Sequence, residues 1–500
     1  MSLREITLYH LLQHNARVYA SQPALLTGDL EVTHSEFLEK VDRLAAGMIS
    51  RGVEKGDRVC ILAQNSMEYL ELYGACAKTG AIAYPINWRL SAEEVNQVFE
   101  LAEPAMLVVG IGHLPQTTDL DLSGVKVRVI LGDDAEEGYL RFSELYEDLS
   151  QMEGAIQSDD PFVIISTAAV EGVPRGAVLT HRNLIMSGYA TIAKLGLGAM
   201  DRHLAALPLF HITGLGLSLA VNQVGGANVV MESFDPAEAS ALIDRLQVTV
   251  MADFPPILSL LLDAREASSD GWSALRLVLG LDAPDVIQRL HEETNAKFWT
   301  GFGQSETSGV ATLAAVEEKP GSAGRPLSIT RIRTVDPKGV DVPLGEPGEI
   351  VVRGPMVFAG YWRDADATTY TLRDAWHHTG DMGTLDSDGY LYYVGRLPEK
   401  ELVKSGGENI YPAEVEQVLQ NLPEIEAVCV IGVPDSEWGE SVKAVVEFAP
   451  GESLTEEEIR TSVSERIASF KKPRFVEIVE ALPRQGNGEI DRVAVKEKFG

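Results

Sequence analysis

The chain has 500 residues and a formal net charge of −32. So acidic a surface repels a phosphate backbone, which argues against a nucleic-acid partner while leaving room for one nucleotide in a local pocket. Hydrophobic content of 45% and charged content of 23% fit a globular protein too long for one core, so a large domain with a smaller one is expected. No apolar run reaches the roughly 18 residues of a membrane span, and the first residues, MSLREITLYH, lack the form of a secretory signal. Cys60, Cys76 and Cys429 stand in no CxxC or Cys/His spacing, which predicts reduced thiols, no structural zinc and a cytoplasmic setting.

In chain order, Phe37–Arg51 has helical periodicity, Arg58–Leu62 reads as a buried strand, Ser66–Lys78 as a helix and Ala81–Ile86 as a short strand. The alternation predicts an α/β fold and continues from Phe162 to about Gly303. Beyond about Gly321 the texture turns to short β-rich pieces such as Gly348–Arg353 and Tyr390–Val394. A boundary is expected after Gly395–Arg396, giving domains of residues 1–396 and 397–500. In the second, Ala413–Leu419 and Glu456–Ile467 read as helices, Ala427–Ile431 and Lys443–Phe448 as strands, with Pro412 at a first helical position.

Five segments have residues suited to chemistry. Phe162–His181 (FVIISTAAVEGVPRGAVLTH) joins two β-rich runs through a loop that can offer N–H groups to phosphate, or is a plain hairpin. His211, in PLFHITGLG, is either a core histidine or a group at the mouth of an apolar pocket. Thr300–Gly309 (TGFGQSETSG) offers small residues for close backbone approach, the Ser305 hydroxyl for a phosphate and Glu306 for magnesium. In Trp376–Arg396, Asp381 can accept both hydroxyls of a ribose, and Arg396 can add a charge-assisted contact, while Asp386 and Asp388 read as turn residues. In Lys400–Glu416, two glycines before a helix start can line a narrow channel.

Together these segments resemble the superfamily of adenylate-forming enzymes, and its acyl-CoA synthetase branch in particular, through TGFGQSETSG, WHHTGD and GENIYPAEVE. The resemblance spans essentially the whole chain. It implies a large N-terminal domain of two β-sheets with helices and a small β-barrel, followed by a small mobile α+β domain. It also implies two half-reactions: acid and ATP give acyl-AMP, then the C-terminal domain swings and a thiol, that of CoA, takes the acyl group. Transfer to a carrier protein is disfavoured, since no carrier domain follows in the chain.

By the same resemblance Phe302 and Gly303 lie near adenine. Ser305 and Glu306 serve the phosphate and magnesium, and Asp381 and Arg396 the ribose. His211 sits beside the acyl carboxylate, with Gly214, Gly280 and Gly301 in the acyl pocket. Gly406 and Gly407 line the pantetheine tunnel, Glu401 is the hinge, and Lys404 faces the site in the second state. The interval from Arg396 to the glycine pair is two residues longer than in the common pattern.

Two motifs depart from the family. The phosphate loop, usually T-S-G-T-T-G-x-P-K-G, runs from Thr167 to Gly176 as TAAVEGVPRG, losing hydroxyls, gaining Glu171 and keeping a cation in Arg175. Near the C-terminus, Glu489 replaces the lysine that bridges carboxylate and α-phosphate in adenylation. Both losses concern ATP and pyrophosphate. They predict a chain that makes thioesters from a preformed acyl-adenylate, supplied by a separate ligase, with ATP and magnesium use in doubt. A complete ATP-dependent acid–CoA ligase and a non-catalytic adenylate-binding protein are the alternatives.

Overall fold

The computed structural model describes residues 5–148, 155–170, 173–265, 272–397, 402–485 and 489–500, without the side chains of 168–170 and 173–174. The expected hinge, Glu401, and the loop residue Glu171 lie outside the described residues.

Local signals account for the early elements. In the strand Arg58–Leu62, Val59 to Leu62 are β-branched or apolar and buried. The Ser66 side chain accepts from Tyr69 N and starts the helix Met67–Thr79, which stops at Gly80 with φ +75°. The helix expected from Phe37 begins earlier, at His34, because Thr33 and Glu36 form a capping box ahead of the first apolar residue.

Two large sheets form the N-terminal part. One has eight strands, with parallel Ile82–Pro85, Arg58–Leu62, Met106–Gly110 and Val127–Leu131 at its centre. The hairpin of Pro161–Val170 and Val173–Thr180 extends it. The other has nine strands, with parallel Arg202–Ala205, Ala227–Val230, Val250–Asp253, Leu277–Gly280 and Lys297–Thr300. Helices His181–Leu195 and Ile212–Gln223 are buried along much of their length.

In place of the expected small barrel, Arg331–Val335, Gly348–Arg353, His377–Leu385 and Leu391–Arg396 form an open four-stranded antiparallel sheet. Its outer strands pair with only one neighbour each, so no closed ring is formed among the described residues. The C-terminal part is a five-stranded sheet carrying helices Pro412–Gln420, Glu456–Ser464 and Arg492–Phe499. Its first hairpin pairs Val403–Ser405 with Glu408–Ile410. Gly406 (φ +55°) and Gly407 (φ +82°) make the turn, a two-residue connection with both central φ positive, which a side chain disfavours. Among the described residues no helix is long and apolar enough to cross a membrane.

Candidate active site

The segments that follow the parallel strands converge on one cavity of about 1440 Å³. Asn87–Arg89, Leu207, Pro208, Phe210, His211, Phe254–Pro256, Leu281 and Gly301–Gln304 all line it, the usual place for a ligand in an open α/β sheet. The C-terminal part closes the cavity with the Val403–Ile410 hairpin, Trp438 and the Phe470–Arg474 segment.

At one end lies Asp381, 4% exposed. Its carboxylate meets Arg396 Nε at 3.2 Å and accepts from Gln304 Nε2 at 2.6 Å and Tyr393 Oη at 3.3 Å. Phe302 and Tyr393 stack with centroids 6.5 Å apart, giving this end a flat aromatic wall. Gly303 allows a close crossing, since a Cβ there would meet Gly309 O at 2.1 Å. Asp386 and Asp388 are turn residues: Asp386 Oδ1 accepts from Asp388 N and Tyr390 N, and both carboxylates pair with Lys319.

Ser305 and Glu306 also line the cavity. Tyr361 Oη donates to Glu306 Oε1 at 2.7 Å; burial, and then that carboxylate, raise the phenol well above its ordinary range. Arg175 lies over the Tyr361 ring and pairs with Asp364 at 3.1 Å. The retained cation of the phosphate loop thus already has a carboxylate partner.

His211 is the N-cap residue of Ile212–Gln223 and sits at the centre of the site. Its Nε2 lies 3.1 Å from Glu408 Oε1, which Arg89 also contacts, while Asn87 Nδ2 donates to Glu408 Oε2 at 3.3 Å. Burial alone would raise the Glu408 carboxyl; His211 and Arg89 outweigh it and push the group down to about 2. Lys404 lines the same cavity. Lys404 is exposed to the open cavity, yet the protein crowded around its ammonium, then repulsion from Arg396, hold it below the ordinary lysine range, with Asp381 and Glu440 opposing.

Gly280, Gly301, Gly406 and Gly407 line the cavity, but Gly214 does not. A Cβ at Gly214 would meet Pro208 O at 2.4 Å, so this glycine is small because the helix packs on the Leu207–Pro208 backbone. Gly216 borders the cavity instead, where a Cβ would meet nothing nearer than Ser308 O at 4.0 Å. Glu489 is exposed and is not among the cavity-lining residues.

Sequence reasoning missed Gln304, Tyr393, Arg89 and Glu408. Gln304, Tyr393 and Glu408 sit inside segments already singled out, but nothing in their spacing points to Asp381 or His211. Arg89 and Glu408 are 319 positions apart and carry no local signal of their pairing.

A family model for AMP-binding enzymes matches residues 12–362, and one for the AMP-binding enzyme C-terminal domain matches residues 414–489. The chain belongs to the AMP-binding enzymes, as an acyl-CoA synthetase of the adenylate-forming superfamily. It is 36% identical over 492 residues to a feruloyl-CoA synthase of Amycolatopsis, covering 97% of each chain. It is 32% identical over 496 residues to an indoleacetate–CoA ligase of Aromatoleum aromaticum, again over 97% of each. Among solved structures, this acyl-CoA synthetase resembles the o-succinylbenzoate CoA synthetase of Bacillus subtilis at 28% identity. A double mutant of that protein with a CoA product analogue gives a TM-score of 0.85, over 97% of this chain and 98% of that one. The same synthetase with its acyl-adenylate gives 0.71, over 97% of each.

Proposed function

We propose that this acyl-CoA synthetase forms an acyl-CoA from a preformed acyl-adenylate and CoA, and makes the adenylate itself poorly or not at all. The observation that carries the reading is the seating of the C-terminal hairpin. Lys404 lines the cavity that Asp381 also lines, and Glu408 meets His211 there, while Glu489 is not among the lining residues. The better overlay on the product-analogue complex than on the acyl-adenylate complex supports the same orientation.

In this reading Asp381 and Arg396 hold the ribose, Phe302 flanks the adenine and Ser305 meets the one phosphate. The acyl chain runs past His211 and Gly216. The two glycines of the Gly406–Gly407 turn admit pantetheine, and Arg460, Lys472 and Arg474 at the rim meet the phosphates of CoA. The thiol, with a pKa near 8.5, loses its proton to solvent. The thiolate attacks the acyl carbon; a carbon–sulfur bond forms and the bond to the AMP oxygen breaks. The developing oxyanion and the departing phosphate are negative, and His211 and Lys404 are the donors at hand. Alignment supplies the rest.

Adenylation is less well served. Glu306, the carboxylate expected to meet magnesium, already accepts the Tyr361 hydroxyl. Glu489 puts a carboxylate where a bridging lysine is expected, and loss of one such donor costs about 3–4 kcal/mol of transition-state stabilisation.

The complete ATP-dependent ligase is the second reading, favoured by Arg175 in the cavity wall and by relatives named as CoA ligases. Two reactions separate them: carboxylic acids with ATP, magnesium and CoA, and synthetic acyl-adenylates with CoA alone. Product only from the adenylates is expected; product from both establishes the complete ligase. Binding of the adenylate without AMP release would leave a binding protein. Repair of the lost groups, Glu489→Lys with a hydroxyl-bearing phosphate loop, should raise pyrophosphate release, and no gain would sink the account of lost adenylation.

The cavity's acyl side is walled by Leu184, Leu207, Leu217, Leu279 and Val310. This favours an uncharged aryl or alkyl acid, in keeping with the feruloyl and indoleacetate relatives.

A further inference from the structure

A second set of charges crosses between the two parts of the chain: Glu94, outside the cavity lining, meets Lys471, which with Glu414 lines the cavity. Lys471, 5% exposed, lies 2.5 Å from Glu94 Oε1 and 3.0 Å from Glu414 Oε2. Ala468 N donates to Glu94 Oε2 at 2.9 Å. Glu94 belongs to the N-terminal helix Ala92–Ala102. Lys471, Ala468 and Glu414 all belong to the C-terminal part, and Glu414 is on the helix that directly follows the site hairpin.

The arms of this cluster are unequal. If the C-terminal part turns, Lys471 and Glu414 travel together and keep their pairing. Only the Glu94 arm is broken, and with it the bond from Ala468. A buried ion pair adds little net stability, because desolvation offsets attraction, yet breaking one side of it leaves a buried charge short of a partner. The Glu94 contact therefore favours one domain orientation over others more than it stabilises either domain.

We propose that Glu94 is a positioning residue that selects the thioester-forming orientation, capturing Lys471 and the Ala468 N–H and so seating Lys404 and Glu408 in the cavity. The proposal rests on the thioester-forming reading above. Glu94 touches no reacting atom and acts through Lys471.

A specific control exists because Glu94 also closes the capping box of its helix, with Ser91 N donating to Oε2 at 2.8 Å. Glutamine serves such a box as glutamate does, so Glu94→Gln keeps the cap and withdraws only the charge. Ser91→Ala weakens the cap and leaves the charge. Full-length wild type and both variants would be given synthetic feruloyl-adenylate and CoA, with acyl-CoA followed by chromatography. Glu94→Gln should lower kcat about tenfold or more, with AMP affinity and Tm unchanged. Ser91→Ala should stay within about twofold of wild type.

Orientation is read separately by energy transfer between dyes on Val18→Cys and Val493→Cys, both exposed sites, the three native cysteines being buried. Glu94→Gln should shift the distance distribution and Ser91→Ala should not. An unchanged distribution in Glu94→Gln, or equal effects of the two variants, overturns the proposal. If wild type makes no acyl-CoA from the adenylate, the functional reading fails, while the dye pair still decides on Glu94.

Discussion

Glu408→Gln tests the junction on which the proposed reaction depends. The carboxylate is 6% exposed and meets His211, Arg89 and Asn87, all from the N-terminal part. A carboxyl held near 2 instead of 4.5 is favoured in its ionised form by roughly 3 kcal/mol. Glutamine keeps the volume and one acceptor but loses the charge. Arg89 and His211 are 33% and 34% exposed, so water can replace part of what they lose. A net cost of about 1.5–2.5 kcal/mol follows, or roughly 10- to 60-fold in acyl transfer. Rapid-quench measurement of acyl-CoA from a synthetic adenylate reads it, with AMP affinity kept within about threefold because Asp381 and its partners are untouched. Combined with Arg89→Met, the variant should show about 1–2 kcal/mol of coupling. The sign of the pH effect is set by a depressed carboxyl: its contribution is present above about 4.5 and lost as pH falls through about 2. The wild-type advantage that Glu408 supplies should shrink below about pH 4. A variant within twofold of wild type, or an additive cycle, would refute the reasoning.

Gly214 and Gly216 should respond oppositely to alanine. Gly216→Ala gains about 0.5–1 kcal/mol of helix stability in denaturant melts, whereas Gly214→Ala meets the Pro208 carbonyl and loses about 1–3 kcal/mol. Gly216→Leu should fill the acyl channel, cutting kcat/KM for feruloyl-adenylate at least tenfold while sparing acetyl-adenylate. Asp381→Asn should weaken AMP binding about tenfold or more by calorimetry, since a buried carboxylate that pairs with Arg396 is lost. Asp253 and Asp282 are adjacent carboxyls, both raised by burial; their mutual repulsion also lifts Asp253. Raised acids stabilise below their ordinary pKa and lose that contribution as pH rises. Asp282→Asn should therefore gain Tm relative to wild type at pH 8 and gain less at pH 5; equal shifts at both would count against a shared proton.

The sequence by itself determined the elements and the family. Arg58–Leu62 is a strand because Val59 and Ile61 are β-branched and Cys60 and Leu62 apolar, and Met67–Thr79 is bracketed by Ser66 and Gly80 within one stretch of chain. Asp381, Arg396, Ser305 and Glu306 sit in compact motifs, and all four line the cavity. An open sheet where a barrel was expected depends on how the outer strands pair, which strand patterns alone do not specify. Tertiary structure alone separated Gly214 from Gly216, two residues apart on one helix, since only packing says which side meets backbone and which meets a void. It alone joined Glu408 to His211, 197 positions away, and Lys471 to Glu94, 377 positions away. Glu408 gains its partners only when domain docking strips its water and brings Arg89 and His211 to it. Such partnerships are set by the folded surface, because the free energy of a buried charge depends on what surrounds it and not on its neighbours in the chain.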